Sequence, residues 1–358
     1  MSGGIKLTSV LTAVYAILLF SVIIFVHELG HFIFAKSFNV YVEEFAVGMG
    51  PAIFKKKWGE TVYSLRIIPM GGYCKMEGEN EESENPRAFS NKSKIQRLII
   101  LCAGAAMNLI LGFLVVIILN GVYSGDTFAT TTVSTVLKNS PAEAAGLMEG
   151  DRVTHLNGHK VNIRSDFSVY NNKEAMDITV IRNGEKINVR VTPKSYILDE
   201  NGNILKEGEG EGAVKLIGIT FGTEKKSLYN VIRNSFYESI FIGKSIYMSL
   251  IDMISGNVRM DDLSGPVGIV NEINNAAKVG FSYLLYLMAI ITINLGVFNL
   301  LPIPALDGGR VFFILIEIII GRPVPQKYEA YVHAIGFLLL ITLMLFVTWN
   351  DISKIFFK

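Results

Sequence analysis

Two histidines four residues apart, with a glutamate beside the first, stand at the end of an apolar run, in Val26-His27-Glu28-Leu29-Gly30-His31. On an α-helix, positions i and i+4 lie one above the other on one face. Two imidazoles so placed can share a Zn2+ ion, and the adjacent carboxylate can take a proton from water held there. His27 and His31 are therefore candidate metal ligands and Glu28 a candidate general base. They use two of only five histidines in the chain. The alternative is a helix end whose polar groups reach back to the membrane surface. Ionisable residues at the membrane edge of a span are costly and mark functional sites by default, so the pattern points to a metal.

Two ligands do not make a catalytic zinc site, which usually takes three protein ligands and keeps one position open. His155 and His159 lie in a polar region away from the apolar runs, and His333 opens the last apolar block, where it reads as an interfacial residue. Asp307 is the better candidate, in Asn299-Leu300-Leu301-Pro302-Ile303-Pro304-Ala305-Leu306-Asp307-Gly308-Gly309-Arg310. The two prolines break a helix at membrane depth. Irregular backbone is tolerated there only where it is buried in protein or lines a wet cavity, and an acid beside the break is expected to face that cavity. Glu317 is a rival ligand, whose other reading is a polar contact between helices.

The elements that must carry these residues follow from the apolar pattern. The 358 residues are 50% hydrophobic, concentrated in four blocks: Leu7–Val26, Leu98–Tyr123, Val279–Leu306 and roughly Ala334–Trp349. About 20 apolar residues cross a bilayer as a helix. The fold class expected is a polytopic α-helical membrane protein with about four spans, a membrane-associated β-hairpin loop and one inserted β-rich domain. The first run ends in the histidine motif and lacks a small-residue cleavage site, so it reads as a retained span. The net charge of +1 leaves no nucleic-acid footprint, and two cysteines, Cys74 in a polar loop and Cys102 in a span, make no disulfide framework or cysteine metal site.

The loop after the first span holds ten basic residues, among them Lys55, Lys56, Lys57, Arg66 and Arg97. Short basic loops stay cytoplasmic, which places both termini and the region between spans two and three outside. Thr61–Ile68 in that loop, flanked by glycines and prolines, reads as hairpin material, and Glu77–Pro86 as a mobile acidic surface segment. Residues 127–223 are the soluble-looking domain, with an Asn183-Gly184 hairpin signal and a loop expected at Asn201–Gly212. Residues 227–255 look amphipathic, either packed on that domain or lying at the membrane surface. The expected divisions are 1–34 (first span), 35–96 (cytoplasmic loop), 97–123 (second span), 127–223 (β-rich domain), 224–278 (amphipathic connection), 279–320 (third span with its break) and 331–350 (fourth span).

Several stretches together resemble one family. His27–His31 with Asn299–Gly309 is similar to the paired motifs of the site-2 proteases, the intramembrane zinc metalloproteases. Pro69–Glu79 resembles that family's PxGGYxxMxGE loop, Ala103–Asn108 the AGxxMN element of its second span, and Leu263–Ile269 the stretch before its third. Their order fits the bacterial RseP/RasP-type branch over nearly the whole chain. The resemblance implies one zinc ion per chain held by His27, His31 and Asp307, with Glu28 as general base. It also implies that Asn299 holds the substrate backbone or the oxyanion, and that the β-rich loop before Pro69 dips toward the site and holds substrate as an added strand. Ser140–Val153 resembles the SPAxxAGLxxGDxI signature of bacterial PDZ domains, so residues 127–223 are expected to be a single PDZ domain that binds a peptide or only limits access.

The function expected is hydrolysis of peptide bonds within the transmembrane segments of single-span proteins, such as anti-sigma factors or signal-peptide remnants, in a bacterial cytoplasmic membrane. Its partners would be those substrates and the lipid bilayer. One alternative is a membrane-anchored zinc protease acting on soluble or loop segments. The other is a membrane PDZ scaffold with a structural zinc, which would need a fourth protein ligand.

Overall fold

The computed structural model describes residues 2–79, 81, 83–170, 174–198, 204–208, 213–256 and 265–356. The chain divides into two compact units, Met1–Leu119 with Ile242–Lys358, and Asn120–Phe241.

The first unit carries the spans. Helix α1 (Ser2–Ser37) leads into β1 (Val42–Trp58) and β2 (Thr61–Met76), and α2 (Lys94–Ile118) follows. Ser93 caps α2 by accepting from the Gln96 N–H, while the Gln96 side chain accepts from the Ser93 N–H. Such a capping box fixes where the helix enters. Among the described residues four helices are long and apolar enough to cross a membrane: Val10–Ser37, Lys94–Tyr123, Phe281–Leu300 and Lys327–Lys354.

The β1–β2 hairpin is folded on itself. Phe45 pairs with both Cys74 and Tyr63, and β1 residues 54–58 pair with 61–65. Positive φ at Gly48 and Gly71 bends each strand, a conformation glycine adopts without steric cost. Four segments result, in the order 54–58, 61–65, 44–47 and 72–75; the two outer pairings are antiparallel, while 44–47 runs alongside 62–65 in the same direction. Their base joins a core with Ala35, Val42, Phe45, Ile100 and Ile314. Cys74, expected in a polar loop, is buried in that core. The acidic segment expected to be mobile is tied down where described: Glu77 accepts hydrogen bonds from Ser83 (2.7 Å) and Asn85 (2.6 Å).

The second unit opens with β3 (Thr127–Val136), α3 (Pro141–Ala144), β4 (Arg152–Leu156), β5 (His159–Lys160), α4 (Arg164–Tyr170), β6 (Met176–Arg182) and β7 (Glu185–Val191). It continues through β8 (Lys194–Leu198), β9 (Ile204–Glu207), β10 (Ala213–Leu216), β11 (Ile219–Lys225) and the first half of α5 (Leu228–Ile254). One sheet runs β11-β3-β4-β6-β7 with β5 paired to β4, and a smaller one runs β10-β8-β9. Asn183 and Gly184 form the expected two-residue turn, both at positive φ. Part of the stretch expected as a loop, 204–207, is instead a strand; residues 201–203 and 209–212 lie outside the described residues, as does the start of Leu263–Ile269. The core is built from Val133, Leu156, Met176, Ile178 and Val191.

Back in the first unit, α6 (Pro266–Val279), α7 (Phe281–Leu300), α8 (Asp307–Ile320) and α9 (Gln326–Phe356) complete the chain. The expected third span, 279–320, is therefore two helices with a break at residues 301–306. Pro302 and Pro304 lack the N–H that a continuing helix needs.

Candidate metal centre

Three side chains from two segments converge. The second half of α1 presents His27 and His31 on one face, and both are buried. Asp307 opens α8 directly after the break, where the helix dipole favours a carboxylate. The Nε2 atoms of His27 and His31 lie 3.1 and 3.3 Å from Asp307 Oδ2 and 3.2 Å from each other. These three residues form a group that could hold a metal ion.

Tautomers decide what such a cluster can accept. His31 Nδ1 lies 2.8 Å from the Ile100 carbonyl, an acceptor only, so Nδ1 carries the proton and Nε2 of the neutral ring is a bare lone pair. The Asn108 amide sits 3.3 Å from His27 Nδ1, and its Oδ1 is buried without a partner among the described residues. Turned over, that amide accepts from His27 Nδ1–H and leaves His27 Nε2 bare as well. Two nitrogen lone pairs and a carboxylate oxygen then face one another across about 3.2 Å. That arrangement is repulsive on its own and is relieved by a cation. Ligand atoms about 2.0–2.1 Å from a tetrahedral zinc stand roughly 3.3–3.4 Å apart, and the separations found are close to that. Two nitrogens and one oxygen also suit zinc with a fourth position open. The residues present fit the ion.

The scaffold makes room for the rings. A Cβ at Gly104 of α2 would fall 2.3 Å from His31 Nε2 and 2.8 Å from His27 Cε1. One turn of α1 away, a Cβ at Gly30 would meet the Ala103 carbonyl at 2.5 Å. Helices α1 and α2 therefore touch backbone to backbone beside the site.

Glu28, beside His27 on α1, lies against β2 and close enough to both histidines and Asp307 to interact with their charges. A Cβ at Gly72 would lie 3.5 Å from Glu28 Cγ, and the Cys74 backbone hydrogen-bonds its carboxylate. Asn299, near the end of α7, is buried with Nδ2 3.5 Å from His27 Nε2. All five expected site residues thus meet in one region of the first unit. Glu317 does not join them. Its Oε2 pairs with Arg97 at 2.5 Å and its carbonyl accepts from Lys94 at 2.7 Å, a polar contact between α8 and α2. His155 and His159 are in the second unit. His333 is not a residue opening its helix but lies two turns inside α9, where Nδ1 accepts from the Ala305 N–H. Sequence reasoning assigned no role to Ile100, Gly104 or Asn108. The Gly104–Asn108 spacing of four residues, one helical face, was the available signal.

The sequence pattern of peptidase family M50 matches residues 15–343. A Clostridium perfringens protein is 39% identical over 95% of this chain and 98% of its own. The protein named zinc metalloprotease RasP of Shouchella clausii is 32% identical over 95% of this chain and 98% of its own. In Bacillus subtilis, the protein named regulator of sigma-W protease RasP is 30% identical over 96% and 99%.

Proposed function

The chain belongs to peptidase family M50, the site-2 proteases, and from that premise we propose that this zinc metalloprotease cuts peptide bonds inside the transmembrane segments of single-span membrane proteins. The observation that carries the proposal is the convergence of His27, His31 and Asp307 between apolar helices, with the third ligand at a proline break in the membrane-spanning half.

In this reading His27, His31 and Asp307 hold zinc, and when bound the ion supplies Lewis-acid chemistry, polarising a carbonyl and making water more acidic. Glu28 takes a proton from the attacking water and returns it to the amide nitrogen as the C–N bond breaks. The Asn299 amide steadies the substrate backbone or the developing oxyanion. Ile100 and Asn108 hold the imidazoles in the tautomers that leave Nε2 bare. A membrane helix hides its amides, so substrate must unwind before hydrolysis. The 72–75 segment, lying beside Glu28, offers strand hydrogen bonds to the unwound chain.

Among the described residues, three protein ligands rather than four gather here, which favours catalysis over a structural zinc. A protease for soluble segments would keep its metal clear of the apolar helices, which the flanking spans argue against. The basic loop favours a cytoplasmic hairpin and an extracytoplasmic 120–241 unit, and the Ser140–Val153 signature supports a PDZ-type domain in that unit. Substrates of the anti-sigma-factor or signal-peptide-remnant kind suit this arrangement, and the Bacillus subtilis relative is named for a sigma-factor role.

Metal analysis of variants in detergent tests the assignment. Glu28→Gln is expected to keep one zinc per chain and lose hydrolysis of a transmembrane reporter, whereas Asp307→Ala loses both. Full zinc occupancy and activity in Asp307→Ala would overturn the ligand set.

A further inference from the structure

We infer that His333 of the last helix is a positioning residue for the metal-binding turn: it holds Ala305 in place and thereby sets Asp307 against the two histidines. The inference rests on the ligand assignment above and adds α9 to the machinery.

The turn between α7 and α8 packs against the start of α8, where a Cβ at Gly308 would fall 2.0 Å from the Leu301 carbonyl, but its Ala305 N–H is met from outside. Pro302 and Pro304 donate nothing. Its backbone bonds run from Leu301 N–H to Phe298 (3.0 Å), Ile303 N–H to Leu301 (2.6 Å), Leu306 N–H to Ile303 (3.2 Å) and Gly309 N–H to Leu306 (3.0 Å). Ala305 lies between them at φ +73°, a conformation a residue with a Cβ resists. Its N–H looks out of the turn and donates to His333 Nδ1 at 2.9 Å. Without an acceptor there, Ala305 has every reason to fall back to negative φ. Two residues on, Asp307 would swing with it.

The ring is part of a clasp. A Cβ at Gly336, one turn along α9, would stand 2.3 Å from Pro304 Cβ, and one at Gly309 would stand 3.1 Å from His333 Cε1. The face of α9 bearing His333 and Gly336 is thus pressed onto Pro304–Ala305 and the start of α8. Much of the remaining surface of α9 is open, with Phe337, Leu338, Leu345 and Phe346 all exposed. His333 is also fixed in state: accepting at Nδ1 requires that nitrogen to be unprotonated, with the proton on Nε2. That atom is buried without a hydrogen-bond partner among the described residues, 3.9 Å from Glu329 Oε1.

Zinc affinity reads the positioning without activity. The full-length protein in detergent is titrated against a chromophoric chelator, and its Co2+ form gives the visible spectrum of the site. His333→Leu is expected to weaken zinc about 10- to 100-fold, the range for losing a group that orients a ligand, and to alter the Co2+ bands. His333→Asn has nearly the same size as Leu but keeps an oxygen near the Nδ1 position, and should restore most of the affinity. Adding Ala305→Gly to His333→Leu should also restore it in part, because glycine holds positive φ unaided. If His333→Leu does not accumulate folded, Gly336→Ala tests the same clasp from the next turn and should weaken zinc similarly. Wild-type affinity in His333→Leu or Gly336→Ala, or equal losses in the Leu and Asn variants, would overturn the inference. Loss of zinc from Asp307→Ala with none from these variants would leave the ligand set standing and remove only His333.

Discussion

Gly104→Ala offers a sharp test of the site because it adds one methyl group and should otherwise favour the helix. The new Cβ would stand 2.3 Å from His31 Nε2, 2.7 Å from His31 Cε1 and 2.8 Å from His27 Cε1. Ordinary contact begins near 3.4 Å, so the His31 ring must move by about 1 Å. It has no free direction, since Nδ1 is held at 2.8 Å by the Ile100 carbonyl and Nε2 lies 3.3 Å from Asp307. Either the tautomer-setting bond or the ligand geometry must go. Loss of one such orienting contact costs about 10- to 100-fold in metal affinity. With both rings crowded, the upper end is expected, about 100-fold or about 2.7 kcal/mol. Alanine is worth roughly 1 kcal/mol more than glycine inside a helix, so circular dichroism should show no loss of helix. The assay is competition for zinc with a chromophoric chelator on protein in detergent, with helix content measured on the same sample. Wild-type zinc affinity in a folded Gly104→Ala protein would refute the packing argument.

Asn108→Leu should weaken zinc about 10- to 100-fold in the same competition assay, while Asn108→Asp, which keeps an acceptor for His27 Nδ1–H, should lose much less; equal losses would remove the tautomer argument. In the second unit, burial alone would raise the Asp151 carboxyl, but hydrogen bonds from Arg182 and the Met148 N–H prevail and hold it below the usual carboxylate range. A carboxyl lowered by folding stabilises above its unfolded pKa, and that stability fades as pH falls through the folded value. Arg182→Ala should therefore cost about 3 kcal/mol near neutral pH by stranding the carboxylate, with the gap from wild type closing below about pH 4; urea midpoints read by brief proteolysis of the intact protein check both. A reporter after Lys57 should read cytoplasmic and one near Asn183 extracytoplasmic, and a reversed pair of signals would invert the topology.

The chemistry was more legible than the architecture that supports it. A helical repeat of four residues places His27 over His31 whatever the surroundings, and two prolines beside Asp307 declare a break. Local rules also placed the Asn183-Gly184 turn. What stayed hidden depends on non-local contact. Gly104 is an unremarkable residue of an apolar run until α1 lies against it, and Ile100 acts through a carbonyl that any residue would supply. Cys74 reads as polar-loop material because its neighbours are polar, yet the doubled-back hairpin turns it into the core. His333 reads as an interfacial residue because its role depends on a turn 28 residues earlier in the chain.

Where the scissile bond lies tests the central claim most directly. Zinc-loaded protein and a single-span reporter are placed together in nanodiscs, and the products are identified by mass spectrometry, with the Glu28→Gln protein as control. The expected new termini fall within the reporter's apolar segment and are absent from the zinc-containing Glu28→Gln reaction. Cleavage confined to the flanking soluble segments, or the same products from Glu28→Gln, would contradict the account.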